Sequence, residues 1–170
     1  TAIVDGFRQA LIMGADRVFT MDADYSHNPQ DLVSLDRALE KLDLVIGSRY
    51  QGGIRILNWS LSRLLLSLGA NYYVRILLRL KYTDCTSGFR AYQRKVVDEL
   101  SRNKAHSHGY AFLVEVLNLV KQSGYRIGEI PIIYTERRAG QSKMSQLTIW
   151  EAAWRPWMLL LRQIMGRSVH

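Results

Sequence analysis

Asp22-Ala23-Asp24 places two carboxylates at i and i+2, directly after the short apolar run Arg17–Met21. That run reads as a buried strand. Two carboxylates so spaced can both reach one hard cation, and a divalent ion there would neutralise a pyrophosphate and help it leave. A solvated turn is built from the same residue types. Ser48-Arg49-Tyr50 closes a second apolar run, Leu44–Gly47. The planar fork of Arg49 suits phosphate, although strand-end arginines are also common on ordinary surfaces. The stretch Asp84–Arg90 is dense in polar groups, and Asp84 could orient a ligand, act as a base or cap a turn. Between Glu136 and Lys143, three cations surround Gly140, as in a loop that closes on a polyphosphate or in a solvated charge run. Cys85 is the single cysteine and reads as an inert buried thiol. His27, His106 and His108 lack metal-ligand spacing; His27 reads as a turn residue and the other two as loop residues.

Elements must position these groups. Helical spacing covers residues 2–15, with Gly14 as a stop. The strand at 17–21 follows. Asn28 and Pro29 read as the N-cap and first residue of a helix carrying Leu32, Leu35, Leu39 and Leu42. A strand at 44–47, a long helical region at 58–80, a strand within Gly88–Arg94 and a helix at 110–122 complete the middle. Pro131 makes 126–134 extended, 136–145 reads as a basic loop, and 147–165 is amphipathic with Trp150, Trp154 and Trp157. The helix–strand–helix–strand order is that of an α/β fold with a parallel sheet, where ligands bind beyond the carboxyl ends of strands. Asp22, Asp24 and Arg49 all fall there.

The 170 residues are 48% hydrophobic and 22% charged, which excludes disorder as the main state. A disulfide scaffold is excluded by the cysteine count. The net charge of +8 is uneven: residues 1–85 carry +1 and residues 86–170 carry +7. A basic half points to an anionic partner, whether nucleic acid, an acidic membrane surface or substrate phosphates. No apolar run reaches the roughly 18 residues of a membrane-spanning helix, because Arg63, Arg75, Arg79, Arg155 and Arg162 interrupt the richest stretches. Arg63, Arg75 and Arg79, with the Trp-rich C-terminal segment, are candidate membrane-interfacial elements.

In joint order and spacing, these pieces resemble the polyprenol-phosphate mannosyltransferases, which include the dolichol-phosphate mannose synthases of glycosyltransferase family 2. The matching residues are Met21–Asp24 with Ser26–Pro29, then Gly47–Tyr50, then Asn58-Trp59 with Arg63, Ser67 and Gly69–Asn71. Asp84–Tyr92, Gly109–Phe112 with Glu115, Gly128–Ile132, and Arg137, Gly140 and Ser142–Met144 continue the series. The resemblance implies a GT-A (nucleotide-diphospho-sugar transferase) Rossmann-like α/β fold over residues 1–146. Residues 147–170 follow as an amphipathic, membrane-interfacial segment. It also implies that the family's first βαβ section, with its nucleotide-binding motif, lies outside this sequence and leaves the domain incomplete at its N-terminus.

The implied roles are specific. Asp22 and Asp24 match the metal-binding Asp-x-Asp motif, which holds Mg2+ or Mn2+ on the donor diphosphate. Ser26 falls where relatives carry a Gln or Ser that serves the metal. Arg49, Arg63 and Ser67 match positions near the two phosphates, and Arg137 and Lys143 match a loop closing over the nucleotide sugar. Asp84 falls near the sugar or acceptor. The implied reaction moves mannose from GDP-mannose to a polyprenyl (dolichyl-type) monophosphate with inversion. The acceptor is already anionic, so bringing two anions together by positioning and electrostatics matters more than a strong base. The expected location is peripheral, on the cytoplasmic face of a membrane. Three rivals remain at this point: a family 2 enzyme moving glucose or another sugar, an inactive membrane-bound fragment, and a nucleic-acid binder. No nucleic-acid-binding motif is present, so nucleic acid is not an expected partner; the sequence leaves any protein partner open.

Overall fold

The computed structural model describes residues 2–102, 109–136 and 153–161. Helix α1 (Ala2–Ile12) leads into strand β1 (Arg17–Thr20), followed by α2 (Asp31–Ala38) and β2 (Leu44–Ser48). A short strand β3 (Ile56–Leu57) precedes the long helix α3 (Leu61–Leu77). Strand β4 (Arg90–Gln93) runs directly into α4 (Arg94–Arg102), and α5 (Gly109–Gln122), β5 (Ile127–Pro131) and β6 (Tyr134–Thr135) follow. Residues 153–161 are helical. Gly14 does stop α1: at φ +78° it lets Ala15 N–H donate to Ala10 C=O and Gly14 N–H to Leu11 C=O, satisfying two end carbonyls.

Four strands form one sheet in the order β1-β4-β2-β5. β2 and β5 are parallel, but β4 lies antiparallel between β1 and β2. The sheet is therefore mixed, not wholly parallel as the element order suggests. Its interior strands alternate in the manner of a sheet covered on both faces. Leu44, Ile46 and Tyr92 pack with Phe7, Val96 and Leu117 on one side. Val45, Phe89 and Ala91 pack with Leu35 and Leu39 of α2 on the other. Pro131 is tolerated because β5 is an edge strand. Helix α2 begins at Asp31, later than expected; Asn28 Oδ1 instead accepts from Gln30 N–H in the preceding turn, at 3.1 Å. Helix α4 has no counterpart among the elements expected from the sequence.

The antiparallel insertion decides where chemistry can occur. Register pairs Thr20 of β1 and Ile46 of β2 with Arg90 of β4. The C-terminal ends of β1 and β2 therefore meet the turn that enters β4. A second, two-stranded parallel ribbon pairs Ile56 with Tyr134 and Leu57 with Thr135. It is tied to the same edge by Thr135 N–H donating to Ser26 C=O at 3.1 Å.

Candidate active site

Three chain segments converge at that edge: 21–27 after β1, 48–50 after β2, and 83–89 before β4. The last is held from several directions. Thr20 Oγ1 donates to Gly88 C=O at 2.7 Å, and Ser87 Oγ donates to Gly47 C=O at 2.7 Å. Arg90, fully buried, spends its guanidinium on three carbonyls, those of Ser87, Cys85 and Leu113, each at 2.8 Å. Glu129 of β5 accepts from Thr83 N–H, Thr83 Oγ1 and Asp84 N–H at 2.8–2.9 Å. A lone charge in the apolar stretch Ile127–Pro131 was the signal for that role.

The pair Arg49–Asp84 lies at the centre. Arg49 Nε donates to Asp84 Oδ2 at 2.7 Å and Nη2 to Oδ1 at 2.8 Å, a two-pronged contact. Arg49 backbone N–H also donates to Oδ2, and Thr86 Oγ1 to Oδ1. Burial alone would push the Asp84 carboxyl up; the Arg49 guanidinium outweighs it and holds the group below the usual carboxylate range. Asp84 is therefore fully buried, ionised and spoken for on both oxygens. It positions Arg49 and is not exposed to accept a substrate proton. Arg49 hydrogen bonds use Nε and Nη2, while Nη1 has no such partner among the described residues. Cys85 has its thiol pushed up to about 12 by burial, which leaves it unreactive.

Two cavities share this centre. One, of about 690 Å³, is lined by Asp22, His27, Arg49, Arg63, Ser87 and Gly88 among others. The second, of about 580 Å³, runs from Arg49 and Arg63 along Leu65, Leu66, Ala70 and Val74 to Pro156 and Trp157. Arg49, Trp59, Arg63, Thr86 and Tyr110 belong to both. Two cations lie against the Trp59 ring, with Arg63 Cζ 4.1 Å and Arg49 Cζ 5.5 Å from its centroid. Arg63 is ion-paired to both oxygens of Glu136. Ser67 Oγ accepts from Tyr50 Oη at 2.7 Å and lines the second cavity.

The carboxylates divide their work. Asp22 is 58% exposed and faces the first cavity. Asp24 Oδ1 accepts from Ser26 N–H at 3.1 Å and from Ser26 Oγ, closing a turn in which Tyr25 takes φ +62°. Ser26 is 2% exposed and donates its proton to Asp24. That contact ties Ser26, expected from the sequence as a metal ligand, directly to Asp24. Among the described residues no three His, Cys, Asp or Glu side chains form a closed metal cage. An open site fits better: a hard cation that keeps phosphate and water oxygens needs only one or two protein carboxylates. Asp22, facing open cavity, can supply the first. Arg137 and Lys143 lie outside the described residues. Trp59, Tyr134 and Glu136, which shape the junction, were not among the site residues expected; the aromatic–cation spacing of Trp59 and Arg63 on one helix entry was the available signal.

Residues 1–101 match the model of Glycosyl transferase family 2, and the chain belongs to that family. It is 41% identical over 151 residues to undecaprenyl-phosphate mannosyltransferase of Micrococcus luteus, covering 89% of this chain and 62% of the relative. It is 41% identical over 152 residues to polyprenol monophosphomannose synthase of Mycolicibacterium smegmatis, covering 89% and 57%. The chain thus spans about three-fifths of the length of these curated relatives. Among solved structures it resembles glucosyl-3-phosphoglycerate synthase from Mycobacterium tuberculosis in complex with Mn2+, uridine-diphosphate and phosphoglyceric acid. The TM-score is 0.60 at 16% identity, over 91% of this chain and 52% of that one. The shared architecture is the GT-A fold.

Proposed function

We propose that this chain forms the phosphate-joining part of an enzyme that transfers mannose from GDP-mannose to a polyprenyl monophosphate. One observation carries the reading: a cavity that holds the Asp22 carboxylate and a second, more apolar cavity meet at Arg49, Trp59 and Arg63. A nucleotide sugar suits the first and a lipid phosphate the second. The names of the two bacterial relatives support the acceptor and the sugar.

Arg49, pinned by Asp84, presents a fixed cation where the two phosphates approach. Arg63, braced on Trp59, supplies a second. An acceptor phosphate oxygen attacks the sugar C1 from the face opposite the diphosphate; the C1–O bond breaks, and its electron pair leaves with GDP. No proton need be removed, which agrees with the absence of a free base role for Asp84. Asp22 and Asp24 would hold a divalent cation, Mg2+ or Mn2+, whose contribution is to neutralise the departing diphosphate.

The apolar cavity opens beside an exposed stripe. Leu61, Leu65, Tyr72 and Ile76 of α3 are each at least 59% exposed and recur at spacings of four and seven. Trp154 and Trp157 are exposed on the neighbouring helical segment, which Tyr73 Oη binds through Ala153 C=O at 2.6 Å. No helix among the described residues is long and apolar enough to cross a membrane. The stripe suits peripheral attachment to a lipid surface, from which the acceptor would enter.

The test supplies labelled mannose as GDP-mannose, polyprenyl phosphate and Mn2+, and measures label extracted into organic solvent. Label in the lipid, lost on omission of the lipid phosphate, is expected. Equal or better transfer from a glucose donor would overturn the sugar assignment.

A further inference from the structure

His27 is the anomaly in the site. Its side chain is only 2% exposed, yet neither ring nitrogen has a hydrogen-bond partner among the described residues. Buried polar groups left unpaired are costly and rare, so each calls for a physical explanation. Two aromatic rings pack against it. Phe89 packs on it at a centroid distance of 4.8 Å and Tyr134 edges against it at 5.3 Å. A phenyl ring would fill that slot at no polar cost.

The Asp22 carboxylate lies close by: Nε2 is 3.6 Å from Oδ2, just beyond hydrogen-bond reach. Asp31 also interacts electrostatically with His27, without a hydrogen bond to either ring nitrogen. Of the two partners in this near contact, only Asp22 is exposed, and it can move. Its other oxygen, Oδ1, lies over Gly88, 3.5 Å from where a Cβ would sit, and both residues line the first cavity.

We infer that His27 is a positioning residue for Asp22: its Nε2–H backs Oδ2 and turns Oδ1 toward a divalent cation. The inference rests on the proposed reading of Asp22 as a cation ligand. A movement of less than 1 Å by the exposed carboxylate completes the hydrogen bond. Ligands oriented from behind in this way bind their metals more tightly, and loss of such support costs about 10- to 100-fold in affinity.

The experiment titrates the purified chain with Mn2+ alone and follows the electron paramagnetic resonance signal of the free ion. Four proteins are compared: wild type, His27→Phe, His27→Gln and Asp22→Asn. His27→Phe keeps the ring packing and removes the donor, and His27→Gln restores an N–H donor. The expected result is a Mn2+ Kd raised about tenfold in His27→Phe, with its thermal midpoint no lower than wild type. His27→Gln should stay within about threefold of wild type, and Asp22→Asn should lose saturable binding. Wild-type affinity in His27→Phe, with binding lost in Asp22→Asn, would overturn the role of His27 and leave the cation site standing. Equal weakening in the Phe and Gln variants would show that ring shape, not the donor, matters, and would also overturn it. No saturable binding by wild type would overturn both readings.

Discussion

Replacing Asp84 by Asn removes a charge and leaves the shape. The Arg49 side chain is 7% exposed and Asp84 is fully buried. The variant strands a buried guanidinium facing an amide, one of whose arms is itself a donor. Breaking a buried pair from one side costs about 3–5 kcal/mol, because the surviving charge is left uncompensated. That is a large share of the roughly 5–15 kcal/mol that holds a domain together. With a urea dependence of about 2 kcal/mol per molar, the unfolding midpoint should fall by about 2 M. Far-ultraviolet circular dichroism in urea reads this directly. The double variant Arg49→Met/Asp84→Leu removes both charges and should recover most of the loss, since apolar replacements of buried pairs are often neutral. A drop below about 0.3 M in Asp84→Asn, or a double variant no better than the single, would refute the claim that Asp84 exists to hold Arg49.

Further outcomes follow from the same contacts. Asp43 accepts from Arg126 and Lys95. Burial pushes its carboxyl up, and these cations more than reverse that, holding it well below its usual value; Asp84 is lowered too. A depressed carboxyl stabilises above the unfolded value of about 3.9 and loses that stability as pH falls through the folded value. The urea midpoint should therefore hold from pH 7 to about 5 and drop below about 4, less steeply in Asp43→Asn; a midpoint that rises on acidification contradicts this. Glu136→Gln should free Arg63 for the acceptor and lower the apparent KM for polyprenyl phosphate about fivefold, equivalent to about 1 kcal/mol. An unchanged KM would show that Glu136 does not compete with phosphate there. Leu65→Asp/Tyr72→Asp should abolish flotation of the chain with vesicles containing anionic lipid, and flotation equal to wild type would remove α3 from the membrane contact.

The parts of the site legible in the sequence were those with local signatures. Asp22, Asp24 and Arg49 each end an apolar run, and strand ends are where α/β sheets bind ligands. Arg63 and Ser67 were recognisable only through resemblance, since a long amphipathic helix does not announce which polar residue faces a cavity. The place of β4 was not legible. Its short run reads as a strand, but antiparallel insertion between β1 and β2 depends on long-range pairing. That pairing alone brings Asp84 onto Arg49, 35 positions away. The same holds for His27. Its neighbours Asn28 and Pro29 read as a turn, and only the tertiary packing of Phe89 and Tyr134 buries the ring.

The most direct measurement varies each substrate in turn in steady-state transfer, comparing wild type with Ala70→Trp. Ala70 lines only the apolar cavity. Filling that cavity should raise the apparent KM for polyprenyl phosphate at least about tenfold and leave that for GDP-mannose within about twofold. If both constants shift together, or neither does, donor and acceptor do not enter by separate cavities that meet at Arg49 and Arg63.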